Sequence, residues 1–124
     1  MYRVELDGEE IGTTSLECAD PPMGVVFGKV SWIDPRSAFH LIHHHCQEHQ
    51  IIVNETDPEL EFIDTQAIPG LRVYRSDGTE VCGRACCFSG FKEDGYYVTI
   101  LGVPYPFYAE EFPHHCKAYR ERFS

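Results

Sequence analysis

The sequence predicts an α+β fold, with an antiparallel sheet of about five to seven strands and two or three helices packed on one face. Three Asp-Gly pairs lie between runs that could pair as strands: Asp7-Gly8, Asp77-Gly78 and Asp94-Gly95. Asp-Gly supplies the positive φ angles of tight hairpin turns, and it is a strong signal for antiparallel pairing. Helical patterns are few, and the 124 residues have the size of one domain. We therefore expect a single domain over residues 1–124.

Each Asp-Gly pair predicts one hairpin, and the first has the clearest strand pattern. Tyr2, Val4 and Leu6 alternate with charged residues, as in a strand with one solvated face. The predicted pairs are residues 2–6 with 11–16, 71–75 with 80–82, and 87–92 with 96–101. Residues 24–33 (GVVFGKVSWI), preceded by two prolines, form a further predicted strand. These elements together indicate an antiparallel meander.

Three segments predict helices. Asp34-Pro35 is a start signal, because a capping side chain precedes proline at the first helical position. Apolar residues then recur at helical spacing through about residue 49. Near the other end, residues 106–112 form a short segment, and Pro113 interrupts it and starts a last helix to about residue 123.

An acidic stretch lies between the first helix and the second hairpin. Glu55, Asp57, Glu59 and Glu61 fall at every second position, and Pro58 favours an edge strand or an extended loop. One hypothesis is a solvated edge that the charges protect against aggregation. The other is a contact surface for a basic partner.

The net charge of −10 is unevenly distributed. Residues 1–64 hold 13 acidic side chains against 3 basic ones, whereas the charges of residues 65–124 balance. Such a field repels phosphate backbones, so we expect no binding to nucleic acid. It attracts a basic protein surface, although a merely soluble acidic protein also explains the charge.

Apolar runs and cysteines bear on the compartment. No run approaches the roughly 20 apolar residues of a membrane-spanning helix. The first residues turn acidic at once, unlike a secretory signal. We therefore expect a cytoplasmic protein without membrane partners, whose six cysteines are free thiols because that compartment is reducing.

Histidines and cysteines form two clusters that could bind zinc. In residues 40–49 (HLIHHHCQEH), His45 and His49 are one helical turn apart, the spacing that lets two imidazoles hold one ion. His114 and Cys116 could complete four ligands. However, no CxxC or CxxH knuckle occurs. We therefore expect a surface helix rich in histidine and no cofactor, with zinc as the alternative.

Residues 82–90 (CGRACCFSG) suggest a cysteine nucleophile as a second kind of chemistry. Cys86 and Cys87 are adjacent, and Arg84 could lower a nearby thiol pKa. A histidine base would have to lie close in space, which the sequence does not show. Neither GxxxxGK[ST] nor GxGxxG occurs, so phosphate chemistry lacks a motif.

Two segments carry a resemblance to known sequences. Residues 19–28 (ADPPMGVVFG) and 101–119 (LGVPYPFYAEEFPHHCKAY) resemble the ends of a group of small uncharacterised bacterial proteins. Those proteins have a similar DPPMG–FG stretch near the start and a similar LG-x-PYP, FP-H and Tyr pattern near the end. The resemblance implies a bacterial source and assigns no role to any residue.

These observations favour a non-catalytic binding protein. Its size, acidity and lack of a catalytic motif fit an immunity protein or antitoxin-like inhibitor whose acidic face, over residues 55–61, masks a basic protein partner. The alternative is a metal-binding protein or metal-dependent enzyme that uses the histidine and cysteine clusters. The first hypothesis requires an exposed acidic patch, and the second requires converging ligands.

Overall fold

The computed structural model describes residues 1–34 and 38–123. These residues form ten strands in two antiparallel sheets and three α-helices, so the predicted α+β class is confirmed. The strands are β1 (Tyr2–Leu6), β2 (Glu9–Thr14), β3 (Cys18–Asp20), β4 (Val25–Lys29), β5 (Ser31–Trp32), β6 (Val53–Asp57), β7 (Phe62–Thr65), β8 (Leu71–Tyr74), β9 (Ala85–Phe91) and β10 (Gly95–Leu101). The helices are α1 (Ala38–Glu48), α2 (Phe107–Glu111) and α3 (Pro113–Arg122), with a 3₁₀ turn at Pro21–Met23.

The chain passes back and forth between the two sheets. The four-stranded sheet has the order β5-β2-β1-β8, and the six-stranded sheet has the order β3-β4-β10-β9-β7-β6. β10 therefore pairs with its neighbour in sequence, β9, on one side and with the early strand β4 on the other. β3 and β6 are the edge strands of the six-stranded sheet.

Two of the three predicted hairpins are confirmed. β1 pairs with β2 around Asp7-Gly8, and β9 pairs with β10 around Asp94-Gly95. The φ angles of Asp7 and Gly8 are 50° and 83°, as a tight turn between strands requires.

The remaining predicted hairpin, the second in chain order, around Asp77-Gly78, is only started. After β8, the returning chain makes one bridge, between Tyr74 and Glu80, and residues 80–82 form no strand. Val81 donates one backbone hydrogen bond to Val73 (2.8 Å), and Arg84 already donates to Leu101 of β10 (2.7 Å). The return strand is lost because the chain moves across to the six-stranded sheet.

The predicted strand over residues 24–33 is two strands in different sheets. β4 belongs to the six-stranded sheet and β5 to the four-stranded sheet, with Val30 between them. Trp32 packs edge-on against Phe88 and Tyr96, with ring centroids 5.6 and 6.3 Å apart. The bend at Val30 thus brings an aromatic ring of one sheet onto the core side of the other.

The helices pack on this core. α1 buries Ala38, Phe39, Ile42 and Cys46 and ends at Glu48, one residue before the predicted end. Pro35, part of the predicted start signal, lies outside the described residues. At the other end of the chain, Tyr108 and Phe112 are among the largest fully buried side chains. None of the helices in the described ranges is both long enough and apolar enough to cross a membrane.

Candidate functional site

The structure separates the four acidic residues of the predicted partner surface. Glu55 and Asp57 lie on the edge strand β6, and Glu59 lies in the turn that follows. Glu55 and Glu59 are exposed, whereas Asp57 is half-buried and accepts a hydrogen bond from the backbone N–H of Glu59 (3.0 Å). Three of the four carboxylates therefore surround the β6–β7 turn.

Glu61 is turned away from the other three. Its φ angle of 48° redirects the chain. Its carboxylate forms an ion pair with Lys92 (3.3 Å) and lies 3.5 Å from Nε2 of His40. Its backbone carbonyl accepts a hydrogen bond from the hydroxyl of Tyr96. Glu61 therefore holds β7 and α1 together and is not a free member of an acidic face.

The β6–β7 turn borders a groove of about 500 Å³, which we call the acidic groove. Its lining side chains include Glu55, Asp57, Pro58, Leu60, Phe62 and Phe91. Leu60 is 57% exposed, and a neighbouring depression on its other side adds Glu59 and Glu93. The groove thus combines apolar side chains with negatively charged ones.

The acidic groove continues onto the outer face of the six-stranded sheet. Side chains alternate along a strand, and the core side is occupied by residues such as Phe88, Val98 and Ile63. On the opposite side, four neighbouring strands each carry one half-buried aromatic side chain. These are Phe27, Tyr97, Phe91 and Phe62. An aromatic surface therefore leads across the sheet to the acidic edge.

A second cluster joins α1 to the first hairpin. Nδ1 of His45 and Nε2 of His49 each lie 3.7 Å from Oδ2 of Asp7, and one ligand atom from each residue lies within 4.8 Å of the others. The side chain of His45 is 11% exposed. Burial lowers the pKa of His45, with the nearby Asp7 carboxylate acting in the opposite direction, which favours the neutral, metal-binding imidazole.

The other two predicted zinc ligands lie elsewhere. His114 and Cys116 are on α3, and neither is part of the group around His45 and His49. His114 packs against His115 with ring centroids 4.1 Å apart, and Cys116 interacts with the hydroxyl of Tyr105. The structure therefore brings together half of the sequence-derived set and supplies a different third residue.

Asp7 was missed as a possible ligand because the sequence pattern assigned it to a turn. The Asp-Gly pair explains its backbone conformation, but not where its carboxylate points. That direction depends on β1 lying beside β8, an alignment made by residues that are distant in sequence. The available signal was the histidine pair, which had two ligands and required a third.

The adjacent thiols of Cys86 and Cys87 lack the environment of a nucleophile. Burial raises the pKa of Cys86, and the neighbouring Cys87 and Glu80 raise it further. Burial and Asp64 likewise raise the pKa of Cys87. A reactive cysteine requires the opposite shift.

Comparison with known proteins gives no relative. No family model matches the chain, and neither the curated protein sequences nor the solved structures contain a significant match. Function must therefore be argued from the geometry of the two sites.

Proposed function

We propose that this chain is a non-catalytic binding protein that engages a basic protein partner at the acidic groove, as an immunity protein or antitoxin-like inhibitor does. The observation that carries the proposal is the combination of apolar lining residues, Leu60 with Phe62 and Phe91, and adjacent carboxylates. Apolar area at the centre of a contact supplies binding energy, while charges at the rim set the choice of partner and the association rate.

The edge strand supports the proposal independently of the groove. β6 pairs with β7 on one side only, so its other side can accept the backbone of an added strand. Unprotected edges are prone to aggregation, and the charges of Glu55 and Asp57 oppose that outcome. The same charges favour an incoming strand that carries lysine or arginine.

The charge around the groove indicates which kind of peptide segment would bind there. Glu55 and Asp57 line the groove, and Glu59 and Glu93 line the neighbouring depression. The nearby cation Lys92 is already in an ion pair with Glu61. The net charge of −10 adds a long-range attraction for a basic surface. We therefore propose an extended segment with alternating basic and apolar residues, on a partner in the same bacterial cytoplasm.

The test uses a synthetic peptide in which lysine alternates with leucine, and a matched peptide with glutamate in place of lysine. Amide chemical shifts of the protein are followed during titration. The lysine peptide should shift the amides of β6, β7 and the turn between them, and its affinity should fall as salt rises. The glutamate peptide should produce no such shifts.

Two matched variants distinguish the effect on binding of the charges near the groove from the effect of the net charge of the protein. Glu55→Gln/Asp57→Asn/Glu59→Gln should weaken binding of the lysine peptide roughly tenfold at low ionic strength. A control with Glu9→Gln, Glu10→Gln and Glu110→Gln removes the same number of negative charges elsewhere on the surface and should change affinity by less than about twofold. Equal losses in both variants, or shifts spread over the whole acidic half, would overturn the proposal.

A variant of Leu60 tests whether the apolar side chains that line the groove contribute to binding. Leu60→Ser removes an exposed side chain and should leave stability within about 0.5 kcal/mol of the parent protein. Binding should nevertheless weaken at all salt concentrations, because apolar burial is not screened by ions. Unchanged binding would remove the groove from the proposed contact.

A further inference from the structure

We propose that Asp7, His45 and His49 form a site for a divalent transition-metal ion of the zinc class, with one coordination position left to solvent. This site is independent of the acidic groove and does not require the proposed partner. It also differs from the four-ligand set that the sequence suggested, since Asp7 takes the place of His114 and Cys116.

The three ligand atoms already lie at separations close to those of a coordinated ion. Zinc lies about 2.0–2.2 Å from nitrogen and oxygen ligands, which places tetrahedral ligands about 3.4 Å from one another. Two of the separations here are 3.7 Å, and all are within 4.8 Å. The ligand atoms therefore need to move by only about an ångström to reach coordination distances.

The helix presets two of the ligands. His45 and His49 are four residues apart on or at the end of α1, and their ring centroids are 4.3 Å apart. This spacing places both imidazoles on the same side of a helix. The other helix histidine nearby, His44, is engaged differently, with Nε2 2.9 Å from Glu48. His45 and His49 are therefore the two imidazoles directed at the first hairpin.

Gly70 provides the second, independent observation, because it makes room for the third ligand. The backbone N–H of Asp7 donates to the carbonyl of Gly70 (2.9 Å), and the Asp7 carboxylate lies directly over the Gly70 Cα. A methyl group at Gly70 would overlap Oδ1 of Asp7. Gly70 is not among the glycines with positive φ, so its own backbone does not demand glycine. The side chain of Asp7 is what requires the space.

The donor set selects the class of ion. Calcium and magnesium favour sites built wholly from oxygen, whereas imidazole nitrogen suits zinc and related first-row ions. Three protein ligands with a water in the fourth position describe an open zinc site, as opposed to the closed four-ligand sites of structural zinc. The absence of knuckle spacing in the sequence therefore does not bear on a site of this type.

The test is a titration of protein without an affinity tag, freed of metal by a chelator, with zinc chloride in a calorimeter at neutral pH. We expect one zinc ion per chain. Asp7→Asn and His49→Gln should each weaken zinc binding by about 10–100-fold or more. Asparagine tolerates the left-handed conformation of position 7, and both side chains are about half exposed, so both variants should fold.

Gly70→Ala tests the site without touching a ligand. The alanine should displace the Asp7 carboxylate and weaken zinc binding roughly tenfold, in the range of substitutions behind a ligand. Its circular dichroism and thermal midpoint should stay close to those of the parent protein. Cobalt, substituted for zinc, should give a visible absorption spectrum that changes in this variant as well as in Asp7→Asn.

Two controls decide between this site and other sources of zinc binding. His44→Gln, on the same helix, should bind zinc like the parent protein, and a loss equal to that of His49→Gln would indicate adventitious binding to surface histidines. His114→Gln/Cys116→Ser should also bind normally, and a loss there would restore the four-ligand hypothesis. Either of these losses would overturn the proposal. It would also be overturned if Asp7→Asn bound zinc as tightly as the parent protein, or if the parent protein did not bind one zinc ion.

Discussion

Tyr96 connects parts of the chain that are distant in sequence, through a ring in the core and a hydroxyl group at its edge. Its ring stacks on Phe88, with centroids 5.4 Å apart, while its hydroxyl donates to the carbonyl of Glu61. Only 5% of the residue is exposed. Burial, with a smaller effect from the Glu61 carboxylate, raises the pKa of Tyr96 to about 12.

This shift predicts how stability changes at alkaline pH. An unfolded tyrosine ionises near pH 10, whereas folded Tyr96 keeps its proton up to about 12, so the unfolded state loses the proton first. Stability therefore falls as pH rises through this window. At neutral pH, Tyr96→Phe should lose about 0.5–1.5 kcal/mol, because one buried hydrogen bond is missing. Urea unfolding should show that this deficit narrows by pH 11, and two parallel curves would contradict the assignment.

Residue patterns allowed part of the candidate metal site to be predicted. His45 and His49 could be paired from their spacing alone, because helical periodicity is a local property. Asp7 could not be added, since its position beside Gly70 depends on strand pairing between residues that are far apart in sequence. Glu61 shows the opposite failure: its place in an alternating acidic run concealed a left-handed backbone, an ion pair with Lys92 and a contact with His40.

At the scale of elements, α2 and α3 contribute to the core through very few side chains. α3 buries none of its residues, whereas Phe112, between the two helices, is 1% exposed. Phe112 lies 6.0 Å from Tyr2 and 5.3 Å from Tyr108, measured between ring centroids. Glu111 adds a hydrogen bond from the Tyr2 hydroxyl (2.7 Å). The C-terminal helices are thus attached to β1 mainly through this junction.

The junction predicts a strong contrast between two phenylalanines. Phe112→Ala should destabilise the protein by about 3–5 kcal/mol, because it removes a fully buried ring and leaves a cavity. Phe123→Ala is the matched control: that side chain is 64% exposed, and its loss should cost about 0.5 kcal/mol or less. Chemical denaturation measures both values. A small effect of Phe112→Ala would show that the helices are not integral to the fold.

Strands could be predicted where a local turn determined the pairing. The prediction failed where the pairing depended on residues that are distant in sequence. The Asp-Gly turns fixed the first and third hairpins because left-handed φ angles are a local requirement. Residues 24–33 have continuous strand character, and no local signal marks Val30 as the point where the chain changes sheet. Residues 80–82 have a strand composition but form no strand beside β8, because the chain that follows them crosses to the six-stranded sheet.

For the molecule as a whole, the six cysteines report on cooperativity, because all are free and they differ in burial. Cys82 is exposed and Cys46 is buried. In the native state, Cys82 should react with a thiol reagent first, whereas Cys46 should react only at the rate of global opening. After denaturation under anaerobic conditions, freshly purified protein should yield six thiols. Recovery of two or four would contradict the reducing compartment that we propose.

The pairing of β4 with β10 also bears on how this protein is synthesised. β4 ends at Lys29 and its partner begins at Gly95, so the ribosome must add all the residues between them before that ladder can form. At about 5–20 residues per second, this takes several seconds. During that time Val26, fully buried in the finished fold, lies on a strand that has only the three-residue β3 beside it. Until β10 has been synthesised, the nascent chain therefore presents an unpaired apolar strand edge.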